Sequence, residues 1–260
     1  EVLENYYNNS RGDVSDRYNS CEHNLRLLYE DYGSIIQKLN NQLSDSKHPQ
    51  MIRRNIVRTY FYRGDYADKE KTIGQITNLM EQNILDEPNN ERNFFLWFKA
   101  ARYSKFLKID DILAKLAQWS SLSSSIDVIF YHYAFCAIKA LEGSNIAAQT
   151  CRRLIDECKN KGGNKKISIR EWYGKAPQKL LSNLTATPSD NPNAFYRVEG
   201  VVSAYEHAGS ASITTDLGLE VFFNPGKNNI TRDNLNSSVT FFLGFSYDGL
   251  RAECVELVKE

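Results

Sequence analysis

Between Arg152 and Lys179 nine lysines and arginines face only Asp156, Glu157 and Glu171, a local net charge of +6, and Trp172 and Tyr173 lie inside that run. Cationic side chains neutralise phosphates and release counterions, while an aromatic face stacks a base. The candidate contacts to a single-stranded nucleic acid are therefore Lys159, Lys161, Lys165, Lys166, Arg170, Trp172 and Tyr173. The same residues also fit a plainer arrangement. A helix C-terminus favours Lys and Arg through its dipole, and a linker beyond it can dock its aromatics between domains.

Side chains capable of covalent or metal chemistry are present but not grouped. The stretch Gly162-Gly163-Asn164-Lys165-Lys166 lacks the spacing and the preceding strand of a phosphate-binding loop. The sequence contains neither a His-Glu-x-x-His nor a Gly-x-Ser-x-Gly pattern. His132 falls in an apolar helical stretch and is expected in a core, whereas His23, His48 and His207 lie among polar residues with no partner set. Cys21, Cys136, Cys151, Cys158 and Cys254 are odd in number and scattered, without the close paired spacing of a zinc site. They are expected to be reduced, mostly buried thiols of a cytoplasmic protein. No catalytic residue, metal or cofactor is expected, and the chain is read as non-enzymatic.

The elements that would position these residues divide by hydrophobic period. Residues 1–20 are rich in Asn, Ser and Asp and read as a lead-in. Over 21–162 apolar residues recur at helical spacing. Leu25, Leu28, Tyr32, Ile35, Leu39 and Leu43 predict one long helix, and further stripes follow at Ile52–Phe61, Ile73–Ile84, Phe94–Ala101, Ile109–Trp119, Ile129–Leu141 and Ala147–Cys158. A basic linker is expected over 163–194. Over 195–260 the period changes to alternation, with strands expected at Tyr196–Tyr205, Ala211–Thr215, Leu219–Phe223, Val239–Gly244 and Leu250–Leu257. The fold class read from this pattern is α+β in two domains: an antiparallel helical array, then a small five-stranded barrel that closes to avoid exposed edges.

At 260 residues, two cores are within reach. No stretch approaches the ~20 apolar residues that span a bilayer, so no membrane partner is expected. The chain opens on Glu1-Val2-Leu3 without a signal pattern or a starting Met, and is expected to be processed or cut from a longer protein, any catalytic domain of which would lie upstream.

A spacing of 34 relates Trp97 to Tyr131, Ile112 to Ile146 and Ala114 to Ala148, and over about residues 90–160 the chain resembles degenerate tetratricopeptide repeats. Val198-Glu199-Gly200-Val201-Val202, then Gly209 to Ile213, Gly218 to Asn224, and Gly249 to Val255 resemble strands of a cold-shock or S1-like domain of the OB type. The resemblance implies a base-stacking surface. Ser210 and Ser212 stand where the family has phenylalanines and Asn224 where it has histidine, so Phe222 is the stacking residue kept. Residues 195–260 carry nine acidic against five basic side chains, a net of −4, unlike a surface built for polyanions.

Helical repeats before an OB-type barrel resemble the C-terminal half of NTPase-centred antiviral and signalling effectors, including the sterile-alpha-motif effectors of animals. The resemblance implies a non-catalytic sensor or scaffold whose repeats bind a protein partner or an upstream domain of the same chain. The alternative is a single-stranded RNA or DNA module using the basic linker and Phe222.

Overall fold

The computed structural model describes residues 23–28, 30–64, 69–104, 106–162, 169–175, 179–182 and 187–258. It is α+β, with helices followed by a mixed sheet. The chain forms two compact units, residues 1–106 and 107–260.

In the first unit a short helical segment over 23–28 precedes α1 (Tyr32–Leu43), α2 (Pro49–Arg63), α3 (Glu70–Asp86) and α4 (Glu91–Tyr103). The single long helix expected from Leu25 onward is instead interrupted. Asp31 is an N-cap in extended conformation whose carboxylate accepts from Ser34 N at 2.9 Å, so α1 starts afresh at Tyr32. Leu25 and Leu28 then lose their place in the stripe, and Leu28 is 73% exposed. Proline in the first turn opens α2, where its missing N–H costs nothing, and Gly64 at φ +80° closes it. Consecutive helices pack on one another through Ile35, Ile56, Val57, Ile76, Met80 and Phe98. A buried polar knot fixes the ends of α2, α3 and α4: Asn83 donates to Gln50 O at 2.8 Å, and Asn93 donates to Asn83 O at 3.2 Å.

The second unit begins with α5 (Ile109–Leu122), α6 (Ile126–Leu141) and α7 (Asn145–Gly162). Nearly every residue of α6 is buried, which explains its mostly apolar sequence, broken by Asp127, His132 and Lys139: a helix covered on most sides needs little polar face. The seven strands are β1 (Glu171–Tyr173), β2 (Leu180–Ser182), β3 (Arg197–His207), β4 (Ser210–Thr214), β5 (Glu220–Phe223), β6 (Ser238–Ser246) and β7 (Gly249–Leu257). A ring runs β3-β4-β5-β7-β6 and back to β3, antiparallel throughout except for β5 against β7. Gly200 in β3 allows the closing: a Cβ there would stand 2.5 Å from Ile213 and 2.9 Å from Thr214 O.

The five expected strands all appear, but the sheet has two more, β1 and β2, inside the stretch read as a linker. Each is three residues long, too short to show alternation. β1 pairs with the far end of β6, Glu171 opposite Phe245 and Trp172 opposite Gly244. What holds it is packing: Trp172, Leu181, Phe195 and Phe242 form a small core of their own.

Candidate functional site

Strand alternation sets the outer face of the ring. Val221 and Phe223 of β5 are buried, and Phe222 between them points outward. The parallel register puts Phe222 opposite Arg251 of β7. The Arg251 guanidinium carbon stands 5.4 Å from the Phe222 ring centre, and Lys159 Nζ, from the last turn of α7, stands 5.7 Å from it. Both fall within the reach of a cation–π contact. A cavity of about 860 Å³ opens beside this ring, lined by Phe222, Arg251, Asn224, Lys227, Asn228 and Glu253 among others.

The charges of this wall are tempered by burial. Desolvation lowers the Arg251 pKa, and Asp248 at 3.6 Å opposes that effect. Burial also raises the Glu253 carboxyl above its ordinary value against the pull of Lys227. The Cys254 thiol is pushed up by burial first and then by Glu253, so it is a poor nucleophile. Asn228 is committed to the backbone, accepting from Val255 N at 2.8 Å and donating to Asn224 O at 2.7 Å.

Of the residues singled out in the basic run, Lys159 and Trp172 border this wall and its cavity, and the other described ones lie elsewhere. Lys159 reaches it, while Lys161 is tied to Glu157 at 3.0 Å along α7. Lys165 and Lys166 lie outside the described residues. Arg170 is bound to Asp127 of α6 and to the Tyr247 hydroxyl, with its guanidinium over the rings of Phe130, Tyr131 and Tyr247. Trp172 is 2% exposed and seated against Gly244, where a Cβ would stand 3.0 Å from the indole. It packs in a core with Leu181, Phe195 and Phe242 and also lines the cavity beside Phe222. Tyr173, next along β1, points the other way and packs against Tyr196 at 5.0 Å between ring centres, its phenol pushed up to about 12 by burial first, then by Glu142 and Tyr196. It lines a separate cavity of about 520 Å³ with Tyr196, Arg197, Leu141 and Leu217.

Comparison of the chain with protein-family models, curated proteins and solved structures returns no match. The side chains themselves must carry the functional reading.

A second concave surface runs across α5, α6 and α7, a groove of about 620 Å³ whose apolar lining includes Leu113, Ala114, Ala117, Cys136, Ala147 and Leu154. Ile146 stands at its rim, 78% exposed. Charged pairs frame it, Lys139 with Asp110 at 2.8 Å and Arg153 with Glu157 at 3.6 Å. His132 lies in it with Nδ1 at 3.1 Å from the Ser120 hydroxyl. Its pKa is lowered to about 4 by burial first and then by Arg153, with Glu157 opposing, so the ring is neutral. Burial pushes the Cys136 thiol up to about 12. The groove can take apolar atoms, and burial leaves His132 a weak base and Cys136 a weakly acidic thiol within it.

The 34-residue spacing is not carried into burial. Trp97 and Tyr131 are both buried, but Ile112 is buried where Ile146 is exposed, and Ala114 is exposed where Ala148 is buried. Sequence reasoning missed Arg251, Lys227 and the groove. Alternation along β7 marks Arg251 as outward-facing, but its partnership with Phe222 depends on a parallel register that no local pattern encodes. Among the described residues no group of three or more His, Cys, Asp or Glu could hold a metal ion, and no helix is long and apolar enough to cross a membrane.

Proposed function

We propose that the chain is a non-catalytic binding module whose α5–α7 groove receives an amphipathic helix of a protein partner. The observation that carries this reading is the groove itself: apolar along its floor, edged by ion pairs, with Ile146 exposed where an isolated surface helix would carry a polar residue. A helix laid in such a groove buries residues at i, i+3, i+4 and i+7, and the charged rim fixes its register. Ile146→Glu alters only the rim, so the fold should persist. Peptides selected on the chain from a displayed library are expected to share apolar residues at that spacing and to lose at least tenfold in affinity on Ile146→Glu. Selected peptides indifferent to Ile146 would sink the reading.

The ring is read here as an OB-type barrel. Supporting that are its strand order and its single parallel contact, between the third and fifth of the five strands, which lets an open Greek-key meander close. Ser212 paired with Phe222 puts the two strands aligned with the cold-shock motifs side by side. The helices remain read as degenerate tetratricopeptide-like pairs, supported by the packing of consecutive helices within each unit, and the chain as a cytoplasmic sensor or scaffold.

One arrangement favours a second reading, single-stranded nucleic acid on the outer face of the ring. Phe222 offers a ring flanked by Lys159 and Arg251, beside a cavity wide enough for a base. Fluorescence anisotropy with labelled single-stranded RNA and DNA at two salt concentrations tests it. Salt-sensitive micromolar binding, lost on Phe222→Ala, supports that reading, and no binding at low salt removes it.

A further inference from the structure

Positive charge is concentrated on one part of the first unit where local physics disfavours it. Arg54 and Arg58 lie four residues apart on the same face of α2, an arrangement in which like charges destabilise a helix. Arg92 lies in the first turn of α4, at the positive end of that helix's dipole. The Arg54 guanidinium bridges the two helices, donating to Asn93 Oδ1 at 3.2 Å and to Glu87 at 2.9 Å. Glu87 is already shared, since the same oxygen also accepts from Asn90 and Asn93. Neither the Arg58 nor the Arg92 side chain has a hydrogen bond or ion pair among the described residues.

Arg58 is half-buried, and its pKa is lowered by desolvation first, then by Arg92 and Arg54. Tyr62 alone opposes them, and no carboxylate does so among the described residues. His23 is 3% exposed, both of its ring nitrogens lack a hydrogen-bond partner, and its pKa falls to about 4 through burial first, then Arg58 and Arg26. Three unfavourable placements of charge and an unpartnered buried imidazole thus meet around one guanidinium. A cluster that costs stability without a partner is understandable when a ligand supplies the missing charge.

We propose that Arg58 and Arg92, backed by Arg54, hold a phosphate-type oxyanion at the face shared by α2 and the first turn of α4. Guanidinium forks match the tetrahedral oxyanion in paired N–H···O bonds, and the positive end of the α4 dipole adds to its attraction. The neutral His23 ring can donate one further bond.

Thermal unfolding of the whole chain tests this, with inorganic phosphate and O-phosphoserine as probes against chloride at matched ionic strength. The expected result is a rise in Tm of about 2–4 °C with at least one phosphate probe beyond that with chloride. A shift equal for both probes assigns the site to the free ion's chemistry, and a larger shift with phosphoserine assigns it to a phosphate ester. Arg58→Gln is expected to unfold at a higher temperature than the native chain in phosphate-free buffer and to lose the phosphate shift. Arg92→Gln, an exposed change, should reduce that shift by about half without lowering the Tm. Phosphate acting no differently from chloride, or a full shift surviving in both variants, overturns the proposal.

Discussion

Two half-buried arginines, Arg170 and Arg58, serve opposite ends. Arg170 stands between α6 and β1 with the Asp127 carboxylate and the Tyr247 hydroxyl bonded to it and aromatic rings on its flanks. Arg58 has Arg54 and Arg92 for neighbours, opposed by Tyr62 and, among the described residues, by no carboxylate. Charge count alone does not separate them, since both come from basic stretches of sequence. What separates them is whether the fold supplies the counterion. Where it does, the cation is structural and is unavailable to a ligand. Where it does not, the stability forgone points to something that arrives from outside.

The largest effect is expected at the seam of the second unit. Arg170→Met strands Asp127, whose side chain is only 8% exposed, and should cost about 3–5 kcal/mol in urea unfolding. Adding Asp127→Leu should recover part of the loss, because the double change removes the unpaired charge. A single-variant cost below about 1 kcal/mol would mean that Arg170 is not structural, and the contrast with Arg58 would collapse. Trp172→Ala beneath the same seam should cost about 3–5 kcal/mol through the cavity it leaves.

Acid separates the two regions on a smaller scale. His23 and His132 are both held neutral when folded, with pKa values of about 4, whereas an unfolded histidine titrates near 6.5. The unfolded chain therefore binds more protons between those values, and stability falls as pH drops from 6.5 towards 4. The stability is present above 6.5 and the loss is complete once the folded rings themselves titrate. His132→Gln keeps a partner for Ser120 and should remove about 2 kcal/mol of that acid loss. Arg58→Gln should raise the pKa of His23 while leaving that of His132 unchanged, readable from their NMR ring protons. Equal movement of both would mean that the effect is global and not local to Arg58.

The five long strands were legible as short apolar runs between turns, and in β3 alternation is plain: Val198, Gly200 and Val202 turn inward while Glu199 and Val201 face out. Phe222 was found by the same rule. β1 and β2 were not legible, since three residues carry no period and what fixes them is the distant Phe242 and Phe195. The role of Trp172 was hidden for the same reason. A tryptophan in a basic stretch reads as a stacking platform, and only tertiary contact shows it packed in a core that borders the cavity beside Phe222. Helix α1 shows the converse, a local signal overlooked: Asp31 before Tyr32 is an N-cap, and the apolar spacing of Leu25 and Leu28 masked it. The arginine cluster was illegible because Arg92 lies 34 positions from Arg58, and neither stretch is unusual by itself.

The smallest effect carries the opposite sign from the others, and that makes it the sharpest. Removing a guanidinium normally destabilises a protein through lost packing and lost pairing. At Arg58 there is no ion pair among the described residues to lose and repulsion from Arg54 and Arg92 to relieve, so Arg58→Gln should gain about 0.5 kcal/mol in phosphate-free buffer. Raising the salt concentration should shrink the gain, because the repulsion is partly exposed and therefore screened. Arg170→Met should show little such salt dependence, because its carboxylate partner is shielded from solvent. A loss of stability on Arg58→Gln, insensitive to salt, would place Arg58 in the same structural class as Arg170.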